Sequence, residues 1–289
     1  MPGGLLPGGV LDATGRAQRD FDLAVLTGRE EELLAHTRRL SPAAAVTEVL
    51  SRCVRRIGTI SPVPPEVVRE LLVADRHYLL LQLRRQTFGD GVRADLICPW
   101  PECGEQVTLQ FSINDVPIEA PASVAARHTL QPAGGSPAEI EFRLPNGGDQ
   151  EALAGMLAEN EAAALTALLA RCVRRIDDDL HPAQERIAAL PAAVRAEIES
   201  RMAAAAPKVG QTMDVRCPEC GRMFVAPFDI QRFFLGELRT DGAQLYREVH
   251  YLAYHYHWAE GEIMAMTRDK RHMYIDVLAE TIGALNDGA

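Results

Sequence analysis

At 289 residues, with 47% hydrophobic and 24% charged residues, the chain is long enough for one large domain or two ordinary ones with a sizeable buried core. Its net charge of -10 argues against an extended nucleic-acid surface, which needs clustered Lys and Arg. The longest strongly apolar run, Tyr78-Leu79-Leu80-Leu81, is far too short to span a bilayer, so no membrane partner is expected.

The first residues, Met1 to Gly9, carry neither the basic start nor the apolar core of a signal peptide. Residues 1–18 are expected to form a flexible tail, and the protein is expected to be cytoplasmic, with its six cysteines reduced. Alternation in Phe21-Asp-Leu-Ala-Val-Leu26 predicts a half-buried strand, and the acidic run Glu30 to Glu32 after Gly28 predicts a helix start. Ser41 can cap the next helix, with Pro42 in its first turn. Val46, Leu50, Cys53, Val54 and Ile57 share its apolar face, which predicts a helix running to Ile57. A third helix follows from Asp75 to near Gly89. Strands on either side of Cys98 and Cys103 then close the unit.

The pattern then starts again. Thr47-Glu-Val-Leu-Ser-Arg-Cys-Val-Arg-Arg-Ile57 matches Thr166-Ala-Leu-Leu-Ala-Arg-Cys-Val-Arg-Arg-Ile176 at an offset of 119 residues. At the same offset Glu32, Leu34 and Ala35 meet Glu151, Leu153 and Ala154, and Cys98-Pro99 meets Cys217-Pro218. Three ordered matches predict a tandem duplication. The expected class is α+β: a repeated unit of strand, helices and zinc-knuckle hairpin over residues 19–120 and 139–235. A linker at 121–138 joins the copies, and an aromatic-rich helical segment at 236–289 follows them. In that last segment Lys270, Arg271 and His272 are expected to be exposed.

Cys98-Pro-Trp-Pro-Glu-Cys103-Gly and Cys217-Pro-Glu-Cys220-Gly are two tight turns, each presenting two thiolates. Zinc takes four such ligands in a tetrahedron, so Cys98, Cys103, Cys217 and Cys220 can fill one shared site and leave no position for substrate. The expected cofactor is one structural zinc ion per chain, a clamp between the copies contributing on the order of 10 kcal/mol. Redox pairing within each turn is the competing reading, and two matched pairs favour metal. Cys53 and Cys172 fall on apolar helix faces and are expected in the core.

His250, His255 and His257 near Glu260 are a weaker metal candidate, because His255 points away from the face that the other two share on one helix. The surrounding Tyr246, Tyr251, Tyr254 and Trp258 favour a partner-binding surface. No phosphate loop or nucleophile elbow is present, and no enzymatic activity is expected.

Taken together, Leu26-Thr-Gly-Arg-Glu-Glu-Glu32, Leu50 to Gly58, Asp75-Arg76 with Leu79 to Arg85, Thr87-Phe-Gly-Asp90 and the Cys-Pro...Cys-Gly turns resemble the baseplate hub assembly chaperones of T-even-like phages and related bacterial contractile injection systems. The resemblance covers roughly residues 20–235. It implies a non-enzymatic role in building a contractile tail, with baseplate or hub proteins as partners and possible retention in the assembled particle. It supplies no catalytic residues and does not specify the client or the oligomeric state. The alternative is a zinc-ribbon module acting on nucleic acid or a transcription complex. The acidic charge and the scarcity of Lys and Arg beside either turn count against it.

Overall fold

The computed structural model describes residues 3–36, 40–237 and 242–287. In chain order the elements begin with β1 (Gly3–Leu11), β2 (Ala17–Leu23), α1 (Gly28–His36), α2 (Pro42–Cys53), β3 (Val54–Ile57), α3 (Pro65–Glu70) and α4 (Val73–Phe88). The hairpin β4 (Gly91–Ile97) and β5 (Gln106–Ser112) follows, then β6 (Ile118–Glu119), β7 (His128–Leu130) and β8 (Ile140–Phe142). Next come α5 (Gly147–Glu159), α6 (Glu161–Cys172), β9 (Val173–Ile176), β10 (Asp179–Leu180), α7 (Gln184–Ala188) and α8 (Ala192–Ala205). The chain continues through β11 (Lys208–Val209), a second hairpin, β12 (Thr212–Arg216) and β13 (Met223–Pro227), and α9 (Ile230–Glu237). It ends in α10 (Gly242–Tyr256), α11 (Glu260–Met264) and α12 (Arg268–Asp287).

These elements form two compact units that interleave in sequence. The first comprises Met1–Asp22, Ser41–Leu79 and Val116–Gly210; the second comprises Leu23–Leu40, Leu80–Asp115 and Gln211–Ala289.

Within the first unit lie two small sheets of three and four strands, ordered β1-β2-β3 and β10-β9-β8-β7, and the two-stranded pair β11-β6. Around the second sheet, Ile140, Phe142, Leu169, Val173, Ile176, Ile187, Val194 and Ile198 form a core that excludes water. Cys53 and Cys172 are both buried, Cys172 within that core, as small apolar side chains.

The helix expected to reach Ile57 stops at Cys53, and Val54–Ile57 is a strand. Its β-branched ends, Val54 and Ile57, are buried, while the arginines between them turn outward. A helix would have put Val54 and Ile57 on the face already held by Leu50 and Cys53; as a strand they fill the sheet. The same break recurs between Cys172 and Val173.

Hydrogen bonds around this break also recur at the 119-residue offset. Ser41 and Asn160 cap α2 and α6, accepting from the N–H of Ala44 at 3.2 Å and of Ala163 at 3.0 Å. Arg56 pairs with Asp20, and Arg175 pairs with Glu139. The N–H of Gly58 donates to the Asp20 carbonyl at 2.7 Å, and that of Asp177 to the Glu139 carbonyl at 2.8 Å. Both turning residues are left-handed, at φ 53° and 51°, a conformation open to Gly and tolerated by Asp.

The expected N-terminal tail is instead the strand β1 over its described residues, with residues 6 to 9 buried. Non-local contacts fix it. The N–H groups of Gly8 and Gly9 donate to Asp75 at 2.7 and 2.9 Å, and Arg19 donates to the carbonyls of Leu6 and Pro7. Gly8 is required for this approach, since a Cβ there would lie 2.8 Å from Leu72 and 2.9 Å from Asp75. The expected linker at 121–138 likewise contains a strand, β7, which pairs with β8 as β1 does with β2.

Within the second unit, α10 to α12 gather around Leu245, Val249, Leu252, Ile263 and Met264. Arg271 is buried here, contrary to the expected exposure. Its guanidinium donates to both oxygens of Glu31 at 2.8 and 2.9 Å and to Glu248 at 3.2 Å. Two carboxylates on other helices supply the counter-charge that a local reading of α12 cannot reveal. No helix among the described residues is long and apolar enough to cross a membrane.

Candidate metal centre

Both cysteine turns lie at the tips of the antiparallel hairpins β4–β5 and β12–β13 in the second unit. Val107, Val215 and Ala226 pack together beneath them, flanked by Leu96, Leu109, Met213 and Phe224. This small apolar core fixes the hairpins against each other and so sets the sulfur positions.

Each turn is held by its own backbone. The N–H of Cys98 donates to the Glu105 carbonyl at 2.9 Å, and the N–H groups of Cys103 and Gly104 donate to the Trp100 carbonyl. In the shorter turn the N–H of Cys217 donates to the Arg222 carbonyl at 3.0 Å, and that of Gly221 to the Cys217 carbonyl at 2.9 Å. Gly104 and Gly221 both take left-handed backbone, at φ 63° and 72°, which reverses the chain just after the second cysteine. The longer turn carries two extra residues and includes Trp100. There the Arg222 guanidinium lies 5.2 Å over the Trp100 ring and pairs with Glu102 at 2.8 Å.

All four predicted ligands converge. Their sulfurs lie within 4.8 Å of one another. Cys98 and Cys220 are 3.9 Å apart, and Cys103 and Cys217 are 3.7 Å apart. Four sulfurs at about 2.3 Å from a tetrahedral zinc ion would be separated by about 3.8 Å, whereas a disulfide brings sulfurs to about 2 Å. The residues therefore fit a metal ion, and the set is compatible with one structural zinc. With four thiolates, a tetrahedral ion would have no open position for a substrate.

The thiols differ in how readily they ionise. Burial pushes Cys98 above its ordinary value. At Cys103 the Glu105 backbone favours the thiolate, but burial and hydrogen bonding with Cys217 and Cys98 prevail and push the thiol up to about 12. The backbone at Cys220 and Glu219 draws Cys217 down to about 7, which favours its thiolate. A divalent cation reverses the penalty on the remaining thiolates.

The histidine cluster is different. His250, His255 and His257 are all exposed. His255 lies edge-on to Tyr251 and Tyr254, with ring centroids 4.8 and 5.0 Å away. Among the described residues the four cysteines form the one group of three or more ligand-type side chains close enough to share an ion. The aromatic candidates also divide. Tyr246 and Tyr254 are exposed, and Tyr246 donates to Glu32. Tyr251 is half-buried, while Trp258 stacks on Tyr256 at 4.6 Å and meets Tyr274 edge-on at 4.8 Å.

Residues 18–235 match the family model described as T4 bacteriophage base plate protein, and the chain belongs to that family. The match takes in both hairpins and all four cysteines, and ends before α10. Comparison with curated proteins and with solved structures gave no match.

Proposed function

We propose that this protein is a non-enzymatic, zinc-binding assembly factor, either a chaperone or a structural component, for the baseplate or hub of a phage-like contractile tail or injection system. The family match over residues 18–235 is the observation that carries this reading. The four-sulfur cluster supports a structural zinc, one per chain, with Cys98, Cys103, Cys217 and Cys220 as ligands.

The chain is, in this reading, a tandem duplication, with one copy over residues 19–120 and the other over 139–235. The recurring caps Ser41 and Asn160 support it, as do the ion pairs Arg56–Asp20 and Arg175–Glu139. Strands β1 and β7 suggest that each copy starts one strand earlier than composition indicates. Each copy would contribute one cysteine hairpin, so a single ion clamps equivalent turns.

The C-terminal segment, residues 236–289, receives other tail proteins, with Tyr246, Tyr251, Tyr254 and Trp258 as contact residues. Exposure of Tyr246 and Tyr254 supports this assignment. The experiment is co-purification of tail proteins with the full chain and with a chain ending at 235. Loss of captured baseplate proteins on truncation is expected; undiminished capture would remove the aromatic segment from the reading. Assembled tails separate the two roles, since a structural component is stoichiometric in the particle and a chaperone is required but absent. Normal tails from cells lacking the protein would contradict both.

A further inference from the structure

A second constellation lies in the first unit. A cavity of about 320 Å³ is lined by Arg143, Arg171, Arg174 and His181, with Ala170 and Pro182. Two of its arginines are held in place by one buried carboxylate. Asp149 accepts from both terminal nitrogens of Arg143, at 2.6 and 2.9 Å, and from Nε of Arg171 at 2.8 Å. Arg143 also donates to the Leu144 carbonyl at 3.0 Å. Asp149 is the third residue of α5 and closes a capping box with the N-cap Asn146, accepting from the N–H of Asn146 at 3.0 Å, so the anchor is tied to a helix end.

Free donors remain. Arg171 reaches Asp149 through Nε, leaving both terminal nitrogens open on a side chain that is 43% exposed. Arg174 makes no side-chain ion pair among the described residues. The N–H of His181 donates to the Arg174 carbonyl at 2.8 Å, which fixes that turn against β9. Asp149 thus pairs with two of the three guanidinium groups and leaves Arg174 outside the pairing, with Glu70 acting on Arg143 from further away.

This cationic pocket stands in a chain of net charge -10. At the 119-residue offset Arg171 and Arg174 meet Arg52 and Arg55, whereas Arg143 and His181 meet Ala24 and Pro62, so only the second copy assembles the full set. Guanidinium forks match a planar carboxylate through paired N–H donors, and Arg143 already engages Asp149 in that way. A nucleic-acid backbone, by contrast, needs a track of cations, and one small cavity offers none.

We infer that the cavity binds a carboxylate, an Asp or Glu side chain or a chain terminus, presented by an acidic peptide of a partner protein. Arg174 and the terminal nitrogens of Arg171 receive it, while Arg143 and Asp149 hold the site in shape. This is a second partner contact, independent of the aromatic C-terminal segment.

The test is a titration of the full chain, ¹⁵N-labelled at arginine Nε, with a tetraglutamate peptide and separately with inorganic phosphate. Saturable shifts of the Arg171 and Arg174 signals by the peptide are expected, with roughly tenfold weaker binding for Arg174→Ala. Arg174→Lys, which keeps the charge and loses the fork, should fall between them. Urea midpoints equal to wild type show that these variants remain folded. No saturable shift with the peptide, or equal binding by Arg174→Ala, overturns the inference. Saturation by phosphate where the peptide gives none overturns it too and reassigns the cavity to a phosphate.

Discussion

The sulfurs of Cys103 and Cys217 lie 3.7 Å apart, although 114 residues separate them in the chain. Each sits on its own hairpin, and the two hairpins share the small core of Val107, Val215 and Ala226. Such a core buries little surface, so the hairpins depend on whatever joins the sulfurs. A strong chelator should therefore loosen β4–β5 and β12–β13 first. Amide exchange at Val107 and Val215 should rise on chelation, while Ile140 and Val173, in a core that contains no member of the cluster, stay protected. Uniform loosening of both sets would contradict this.

Arg271 joins Glu31 and Glu248 where all three are almost wholly buried. Arg271→Met removes the guanidinium that Glu31 and Glu248 share, with His272 still 3.0 Å from Glu248, and breaking such a buried set from one side costs about 3–5 kcal/mol. Urea denaturation should show a loss of that size. A loss below about 1 kcal/mol would mean that the pairing contributes little.

Asp75 gives a pH dependence. Burial raises its carboxyl to about 6, against the opposing hydrogen bonds from Gly8 and Gly9. The folded state then holds the proton more tightly than the unfolded chain, so this group's contribution favours folding below about 4 and is lost as pH rises through about 6. The difference in stability between wild type and Asp75→Asn should change across that window and level off above it. A difference independent of pH would contradict the assignment.

Gly8→Ala tests the seating of β1. The added methyl meets Leu72 and Asp75 inside 3 Å, and overpacking of this kind costs about 1–3 kcal/mol. The equivalent change at Gly15, where a Cβ meets nothing within 4 Å but φ is positive, should cost less, about 1 kcal/mol. Equal effects would mean that space at Gly8 is not the constraint.

Features written in local pattern were legible in the sequence. Ser41 and Pro42 mark the start of α2, the alternation around each cysteine pair marks the hairpins, and the paired spacing of Cys98, Cys103, Cys217 and Cys220 singles out the four sulfurs that lie together. What escaped depends on distant partners. A Gly- and Pro-rich start gives no strand signal, yet Asp75, 67 residues from Gly8, ties it down. Val54 and Ile57 fit a helix face and a strand equally well, and sheet pairing decides between them. Arg271 looks exposed beside Lys270 and His272 until Glu31, 240 residues away, is placed beside it. The arginine cavity gave no sequence signal beyond a basic face, because Asp149 and Arg143 orient it from another part of the chain.

Metal content of the purified full chain, measured with protein concentration on wild type and on Cys217→Ser, tests the central claim most directly. One zinc per wild-type chain, lost in the variant together with cooperative unfolding of the hairpins, is the predicted result. Two zinc ions per chain, none, or an undiminished zinc content in Cys217→Ser would contradict it.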